Sequence, residues 1–442
     1  MKNKKNALFW LHNQAKNQDK IDSTFFNLYE IKALLKLLNN PEKKIKVIHV
    51  AGTNGKGSTV YYLNGLLQTK FKKVGIFVSP HIEIFNERIQ INSQFISDDD
   101  LVKIINKIRP LISYLKQNNL AGGNITYFEI LTVIAFEYFY YKKTDICVIE
   151  VGLGGELDST NVVEPILTAI TTIGRDHERF LGHNLKQIAL KKAGIIKYKI
   201  PIVTGNISNI PLSVICAKAK EKKAIHYKFK KDFSIFYYGL YKWHEYFDFR
   251  NKNFKIKKLK TPLIGYYQPE NASMAIQIFI LVCELQKINF TRFNIIQGLQ
   301  NIHLRARMEK LQDEPLIFLD GAHNVHSIKK LVQTMNKNFI NYKIDVLFTA
   351  LKDKNILNML KQLTLLEKTN IYLSEFEHLK SLRLNPKYNK VNIHKIFNIF
   401  CWQNKVKEFI IQNSPNKLLL IVGSLYFASQ VRHFLMNFNK NE

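Results

Sequence analysis

The feature that most constrains the fold is a glycine-rich segment, His49–Thr59, which reads HVAGTNGKGST. It follows a short apolar run, Ile45–Val50, that predicts a buried strand, and it leads into Ser58–Gln68, which predicts a helix. Glycines at such a junction let the backbone turn sharply, and the N–H groups at the start of a helix attract phosphate. The segment therefore predicts a phosphate-binding loop within an α/β domain.

The residue types within this loop suit a nucleotide. Lys56 can neutralise the outer phosphates, and the Ser58 hydroxyl can meet Mg²⁺. The strict pattern G-x-x-x-x-G-K-[ST] is not met, because Val50 replaces its first glycine and Gly57 separates Lys56 from Ser58. Taken alone, the segment also fits a simple turn before a helix, but its three glycines, lysine and Ser-Thr pair favour phosphate binding.

The order of the predicted elements indicates the fold class. From residue 45 onwards, short apolar runs alternate with helical patterns, as in Val74–Ser79 followed by Asp98–Leu115, which predicts a mostly parallel sheet. Lys228–Lys260 differs, because its alternating aromatic and charged residues predict antiparallel strands at the edge of the first domain. Near residue 300 the alternation restarts. We therefore expect an ATP-binding α/β domain at 1–300 and a smaller α/β domain at 301–442.

Polar residues follow three of the predicted strands. Glu150 ends the run DICVIEV before several glycines, Ser79 ends the second strand, and His177 lies in GRDH after a further strand. Open α/β sheets bind ligands beyond the carboxyl ends of their strands, and hard oxygen ligands suit Mg²⁺. Each position also has an ordinary interpretation, namely a turn-stabilising acid, a proline turn and a surface histidine.

The loop variant G-T-N-G-K-G-S resembles that of the folylpolyglutamate and dihydrofolate synthases, relatives of the Mur peptidoglycan ligases. Further motifs occur in that family's order as far as about residue 430. They are S-P-H from Ser79, T-x-F-E from Thr126, E-V-G-L-G-G from Glu150, D-H ending at His177, K-A-G-I from Lys192, G-x-x-Q-x-x-N-A from Gly265, R-x-E from Arg307, D-x-A-H-N from Asp320, A-x-K-D-K from Ala350 and G-S-L-Y from Gly423. No single motif is decisive, but their shared order makes the resemblance strong.

The resemblance implies a fold and an activity. It implies a P-loop, Mur-ligase-like domain with a mostly parallel sheet at 1–300, followed by a smaller Rossmann-like α/β domain at 301–442. The implied reaction joins L-glutamate to 7,8-dihydropteroate, which gives dihydrofolate, and to reduced folates, which extends their polyglutamate tail. ATP is the implied co-substrate, and the bond forms through an acyl phosphate.

The resemblance also implies site residues. The catalytic set comprises Lys56, His177 and Lys192, the last carbamylated by CO₂. Those implied to contact ATP are Asn54, Gly55, Lys56, Gly57, Ser58, Asn271, Arg307, Asp320 and His323. Those implied to hold Mg²⁺, of which two ions are expected, are Ser58, Ser79, Glu150 and His177. Those implied on the pterin or folate side are Thr126, Tyr127, Phe128 and Glu129, which open the predicted helix Tyr127–Tyr141, and Gly154 and Gly155.

Four charged positions depart from the family pattern. Glu30 and Glu156 stand on the pterin side where the family has arginine, so they either compensate one another or alter that pocket. Arg175 replaces an apolar residue, and Lys191 replaces a glutamate beside Lys192. Lys191 either stabilises the implied carbamate or competes with the metal for it. From the residues alone, Lys192 is an ordinary surface lysine of the predicted helix Leu185–Ala193.

Composition bounds the remaining function classes. Lys and Arg number 65 against 35 Asp and Glu, a formal net charge of +30, yet the basic residues form no tail or arginine-rich run. The bias suits compositional drift better than a dedicated polyanion surface, although a basic surface still attracts anionic ligands. Four widely spaced cysteines make a disulfide framework or a Cys-rich zinc site improbable. With no signal-like or membrane-spanning apolar run, we expect a cytoplasmic protein, a monomer with no nucleic-acid or membrane partner.

Three alternatives remain open. A Mur-type amino-acid ligase would carry a separate nucleotide-sugar domain ahead of the phosphate loop, whereas only about 50 residues precede it here. A basic nucleic-acid binder would show salt-dependent affinity for DNA or RNA, and no recognition motif is present. A family member that keeps the fold without folate activity would account for the four charged departures.

Overall fold

The computed structural model describes residues 3–16, 27–120, 125–300, 302–392 and 395–438. These residues pack as two compact units. The first unit lies within Met1–Phe236, Asp248–Leu259 and Glu270–Ile302, and the second within Tyr237–Phe247, Lys260–Pro269 and His303–Glu442. Two short segments of the expected first domain thus group with the second unit. The domain ranges 1–300 and 301–442 themselves stay a prediction.

The described part of the first unit is built on an eight-stranded sheet. Its strands are β1 (Val47–Ala51), β2 (Val74–Phe77), β3 (Ile89–Ile91), β4 (Gln94–Phe95), β5 (Ile146–Glu150), β6 (Leu167–Ile170), β7 (Ile202–Thr204) and β8 (His226–Lys228). The strand order is β4-β3-β2-β5-β1-β6-β7-β8, and every pairing from β2 to β8 is parallel. Only the edge strands β3 and β4 run antiparallel. The prediction of a mostly parallel sheet is confirmed.

Helices pack against this sheet, because the connections between parallel strands are usually helical and cover the sheet. They are α1 (Lys4–Lys16), α2 (Tyr29–Leu37), α3 (Lys56–Gln68), α4 (Asp98–Gln117), α5 (Tyr127–Tyr141), α6 (Glu178–Leu181), α7 (Leu185–Ala193), α8 (Asn209–Glu221), α9 (Gln268–Leu285) and α10 (Arg292–Gln300). One core cluster joins α1, α2, α4 and α5 to the sheet, and another joins α7 and α8. Because β1, β5 and β6 are parallel neighbours, the segments after their carboxyl ends emerge at the same edge of the sheet.

Lys228–Lys260 forms strands, but these make a separate sheet whose residues belong to both units. The strands are β9 (Phe233–Tyr241), β10 (His244–Asn251) and β11 (Lys255–Thr261), in the order β11-β10-β9. Their two- and three-residue connections are those of antiparallel hairpins. Burial alternates along β10, with Glu245, Phe247 and Phe249 buried, so one face of this sheet is covered.

The described part of the second unit has a six-stranded sheet. Its strands are β12 (Glu309–Gln312), β13 (Leu316–Asp320), β14 (Lys343–Phe348), β15 (Thr369–Leu373), β16 (Ile396–Asn398) and β17 (Lys417–Val422), and its helices are α11 (Val325–Asn338), α12 (Ile356–Leu363), α13 (Pro386–Asn389), α14 (Trp402–Gln412) and α15 (Leu425–Phe438). The order is β12-β13-β17-β14-β15-β16, with only β12 antiparallel. This confirms a second α/β unit. Among the described helices of the whole chain, none is long and apolar enough to cross a bilayer.

Candidate active site

The phosphate loop connects β1 to α3 and is held by the segment that follows β6. Thr53 N–H donates to the Thr172 carbonyl (2.8 Å), and Asn54 N–H donates to the Thr172 hydroxyl oxygen (3.0 Å). The Thr171 hydroxyl donates to the Asn54 carbonyl (2.7 Å). Neither threonine could be predicted from the sequence, because their role depends on the pairing of β1 with β6. These hydrogen bonds hold the loop backbone against the segment after β6.

Two glycines are required by this conformation. Gly52 has φ of 150° and Gly55, the N-cap of α3, has φ of 85°. A Cβ on Gly52 would lie 1.9 Å from the Thr171 hydroxyl oxygen, and one on Gly55 would lie 2.6 Å from the Asn271 side-chain oxygen. The amide of Asn271 thus lies against the loop, where the sequence placed a nucleotide contact.

We expect Gly52→Ala to weaken binding of a non-hydrolysable ATP analogue about tenfold or more, because the loop must shift away from Thr171. Isothermal titration calorimetry measures the affinity. Gly239→Ala is the matched control, since Gly239 also has a positive φ (130°) but no atom within 4 Å of an added Cβ. Equal losses in the two variants would contradict the steric explanation.

A carboxylate, a lysine and a backbone amide meet at the carboxyl ends of β1, β2 and β5. Glu150 is buried, and its Oε1 lies 3.9 Å from Lys56 Nζ. Ser79 N–H donates to Glu150 Oε2 (3.3 Å). A Cβ on Gly57 would come no closer than 3.8 Å to that same oxygen, so the glycine leaves room beside the carboxylate. Lys56, Gly57, Ser79 and Glu150 are thus brought together as the sequence predicts.

His177 lies in the segment that follows β6. It has φ of 51°, caps the short helix α6, and keeps 44% of its side chain exposed, with Nε2 3.9 Å from Asp176 Oδ1. Within the described ranges, no three or more His, Cys, Asp and Glu side chains form a metal-binding cluster. The predicted ligands include only two residues of those types, Glu150 and His177, beside the hydroxyls of Ser58 and Ser79. The set of four stays a prediction.

Lys192 is buried, so its interpretation as a surface lysine is wrong. Its Nζ donates to the Gly52 carbonyl in the phosphate loop (2.9 Å). Burial, and after it the positive charge of Lys56, lowers the pKa of Lys192 to about 7. A signal for burial was present, since Ile188 and Ala189 precede Lys192 by four and three residues and are themselves buried.

The predicted pterin-side residues lie at the start of α5 and in the turn after β5. Thr126 and Glu129 form a capping box, in which Thr126 N–H donates to Glu129 Oε2 (2.7 Å) and Glu129 N–H donates to Thr126 Oγ1 (3.2 Å). The ring of Phe128 stacks on Phe77, with centroids 5.9 Å apart. Burial raises the pKa of Glu129 to about 7, and the nearby charge of Glu30 raises it too.

This raised pKa predicts a pH-dependent effect of Glu129→Gln. Between the ordinary pKa of 4.5 and about 7, folded Glu129 holds a proton that the unfolded chain has lost, so stability falls as pH rises through this window. The variant keeps the shape and an acceptor for Thr126, and it avoids the charge. We expect the free energy of unfolding of the variant to exceed that of the wild type by up to about 3 kcal/mol at pH 8, and by little below pH 4.5. Urea unfolding measures this, and a difference that does not grow with pH would contradict it.

Two of the charged departures pair with each other. Lys191 Nζ lies 3.0 Å from Glu156 Oε2, and both side chains are about half exposed. The sequence suggested that Lys191 acts on the carbamate or on the metal, and that Glu156 compensates Glu30. Neither suggestion included a contact between Lys191 and Glu156. The two departures thus form one ion pair at the surface of the first unit.

The remaining predicted nucleotide residues lie in the second unit. Asp320 ends β13, is buried, and accepts N–H bonds from Met308 and Ala322 (both 2.8 Å). Burial raises the pKa of Asp320, while the positive charge of Arg307 opposes this shift. His323 Nδ1 lies 2.8 Å from the Gly321 carbonyl. The nucleotide roles of Arg307, Asp320 and His323 stay predictions.

Comparison with known proteins agrees with this geometry. Residues 50–279 match the family model of the Mur ligase middle domain, so the chain belongs to the class of proteins that carry this domain. The chain is 38% identical over 431 residues, 96% of its length and 97% of the relative's, to a dihydrofolate synthase/folylpolyglutamate synthase of Bacillus subtilis. It is 36% identical to a folylpolyglutamate synthase of Lacticaseibacillus casei, over 92% of this chain and 94% of that protein.

The chain is also similar to solved structures of folylpolyglutamate synthases. The apo form of the L. casei folylpolyglutamate synthase superposes with a TM-score of 0.87 at 33% identity, covering 98% of this chain and all of that one. A complex of a folylpolyglutamate synthase with AMPPCP and folate gives 0.86, with the same identity and coverage. The chain therefore belongs to the dihydrofolate synthase/folylpolyglutamate synthase family, and it is an ATP-dependent ligase.

Proposed function

We propose that this chain joins L-glutamate to 7,8-dihydropteroate and to reduced folates, using ATP. The observation that carries the proposal is the group at the phosphate loop, where Lys56 faces the strand-end carboxylate Glu150 and buried Lys192 binds the loop carbonyl of Gly52. Such a site can hold phosphates and shield their charge. The named relatives supply the substrate class.

The reaction follows from the chemistry of amide formation. A substrate carboxylate oxygen attacks the γ-phosphorus of ATP, the bond to the bridging oxygen breaks, and ADP leaves with an acyl phosphate formed. The amine of L-glutamate then attacks the acyl carbon, phosphate leaves, and the amine proton is lost. Catalysis consists mostly of placing the partners and stabilising phosphoryl charge, which is the role we assign to Lys56 and the loop N–H groups.

Mg²⁺ fits the donor set on the first unit. Glu150 and Ser58 offer hard oxygen ligands, and Gly57 leaves space next to Glu150. We assign Ser58, Ser79, Glu150 and His177 as its ligands, with two ions in all, as the resemblance implies. The metal would neutralise phosphate charge while Lys56 does the same from the loop.

The environment of Lys192 supports its carbamylation. The neutral amine attacks the carbon of CO₂, and a proton is lost to give a carbamate. Only an unprotonated amine can react, and a pKa of about 7 leaves much of this group neutral at physiological pH. The product is a carboxylate-like anion beside the phosphate loop, so a buried cation becomes a ligand of negative charge.

The finer assignments extend the same proposal. We assign the pterin side to Thr126, Tyr127, Phe128, Glu129, Gly154 and Gly155. We also propose that the chain acts as a cytoplasmic monomer with no nucleic-acid or membrane partner, supported by the even spread of its 65 basic residues. Light scattering after size-exclusion chromatography measures the oligomeric state.

The deciding experiment incubates purified protein with Mg-ATP, L-glutamate and either 7,8-dihydropteroate or a reduced folate. Mass spectrometry follows ADP and the glutamylated product. Product from dihydropteroate establishes the synthase, and product from the reduced folate establishes chain extension. If folded protein that binds ATP yields neither, the proposal is wrong and the family fold has lost its folate activity.

A further inference from the structure

The turn that follows β5 packs closely on the carboxyl end of α7. Glu156 N–H donates to the Lys191 carbonyl (2.8 Å). A Cβ on Gly155 would lie 2.9 Å from the carbonyl oxygens of both Lys191 and Lys192, and one on Gly194 would lie 2.4 Å from Glu156 Cβ. Two backbone segments therefore touch where only glycine fits.

The buried side chain of Asn161 forms hydrogen bonds to both of these segments. Asn161 Nδ2 donates to the carbonyl of Glu156 in the turn (2.9 Å) and to that of Gly194 after α7 (3.3 Å). Both partners are acceptors only, which sets the orientation of the amide. Asn161 is 8% exposed, and its Oδ1 has no partner among the described residues. Its own carbonyl accepts from Lys197 Nζ (3.1 Å), on the chain beyond α7.

The two segments that Asn161 joins carry groups of the candidate active site. The turn begins directly after Glu150, and α7 carries Lys192, whose Nζ reaches the Gly52 carbonyl. The Glu156–Lys191 ion pair lies across the same contact, but such exposed ion pairs contribute little to the stability of a folded structure. Of the two side-chain contacts, the buried amide is therefore the one better able to fix the distance between turn and helix, beside the backbone hydrogen bond from Glu156 to Lys191.

We propose that Asn161 is a positioning residue, which holds the turn after Glu150 against α7 and so keeps Lys192 in place at the phosphate loop. Its effect on catalysis rests on the proposed function, whereas its effect on the place of Lys192 does not. A role in packing alone would make the isosteric Asn161→Asp harmless. A donor role makes it worse than Asn161→Ala, because it sets a carboxylate against two carbonyl oxygens.

The test measures reductive methylation of Lys192 by peptide mass spectrometry in bicarbonate-free buffer. Asn86 supplies the matched control, because it is also buried in the same unit and its Nδ2 bridges the Ile96 carbonyl (2.6 Å) and Asp98 Oδ1 (2.9 Å). We expect Asn161→Asp to raise the labelling rate of Lys192 about tenfold, and Asn161→Ala less, through local opening of the turn. The Asn86→Asp and Asn86→Ala variants should leave that rate at the wild-type value.

The outcomes separate the proposals. Wild-type labelling of Lys192 in folded Asn161→Asp overturns the positioning role, as does an equal rise in the Asn86 variants. If Asn161→Asp does not fold, Asn161→Ala decides in the same way, by a rise or its absence. In the ligation assay, kcat should fall in Asn161→Ala more than affinity for the ATP analogue does. If the wild type forms no product in the ligation assay but the variants show the expected labelling, the proposed function is wrong and the positioning role of Asn161 still holds.

Discussion

Replacement of Lys56 by alanine is expected to lower kcat for ADP formation about 10²–10³-fold. Lys56 opens α3, and its Nζ lies 3.9 Å from Glu150 Oε1 and 3.5 Å from the Thr53 carbonyl, so its charge is held over the loop. Under the proposed function, the variant removes a fixed positive charge from the place where phosphoryl charge develops. It also leaves the buried carboxylate of Glu150 without this cation, so some loss of stability accompanies the loss of rate.

The double variant Lys56→Ala/Glu150→Gln separates these two effects. It should recover stability, measured by thermal unfolding, without recovering kcat. Lys70→Ala is the control, because Lys70 lies just beyond the far end of the same helix. Near-normal ADP formation by Lys56→Ala would show that the loop does not act through this lysine.

Local signals were sufficient for most elements that carry the site. The pattern T-x-x-E before an apolar run predicts a helix start, and the structure has the capping box at Thr126 and the helix over Tyr127–Tyr141. The loop glycines and the strand-end position of Glu150 likewise depend on residues close in sequence. These features are set within a few residues, which is the range over which capping, turn chemistry and periodicity act.

What the sequence could not give are contacts between distant segments. Lys192 is buried because its Nζ meets the Gly52 carbonyl 140 positions earlier, and no local pattern reports that distance. Glu156 and Lys191 looked like two separate departures, yet they are 35 positions apart in sequence and 3.0 Å apart in space. Threonines 171 and 172 became part of the loop only once β1 and β6 were known to be neighbours.

The grouping of 237–247 and 260–269 with the second unit has the same origin. Tyr237 donates to Glu245 (2.6 Å), and Glu245 accepts from the Gly265 N–H (2.7 Å). A buried carboxylate therefore ties β9, β10 and the segment after β11 together within that unit. Alternating residues along 228–260 predict strands, but they do not indicate which core those strands will join.

Lys192→Ala should lower the ligation rate about 10²-fold or more. If the functional form of Lys192 is the anionic carbamate, added propionate should restore part of that rate. The variant leaves a buried space near the Gly52 carbonyl, and a small carboxylate can occupy it in place of the carbamate. Lys186→Ala, which removes an exposed lysine from the same helix, is the control and should keep wild-type rates.

Comparing rescue by an anion, propionate, with rescue by a cation, ethylammonium, shows whether the functional form of Lys192 is negatively or positively charged. Restoration by propionate but not by ethylammonium supports the carbamate, whereas the reverse shows that Lys192 acts as a cation and ends the carbamate assignment. The two lysines of the candidate active site are also coupled, because the charge of Lys56 helps to lower the pKa of Lys192. Lys56→Ala should therefore raise the pKa of Lys192 and reduce its carbamylation, measured as the ¹³C signal of the carbamate in ¹³C-bicarbonate. Under the proposed function, the lysine that meets phosphate would thus also favour formation of the anion beside it, so the two lysines close to the same loop would act together.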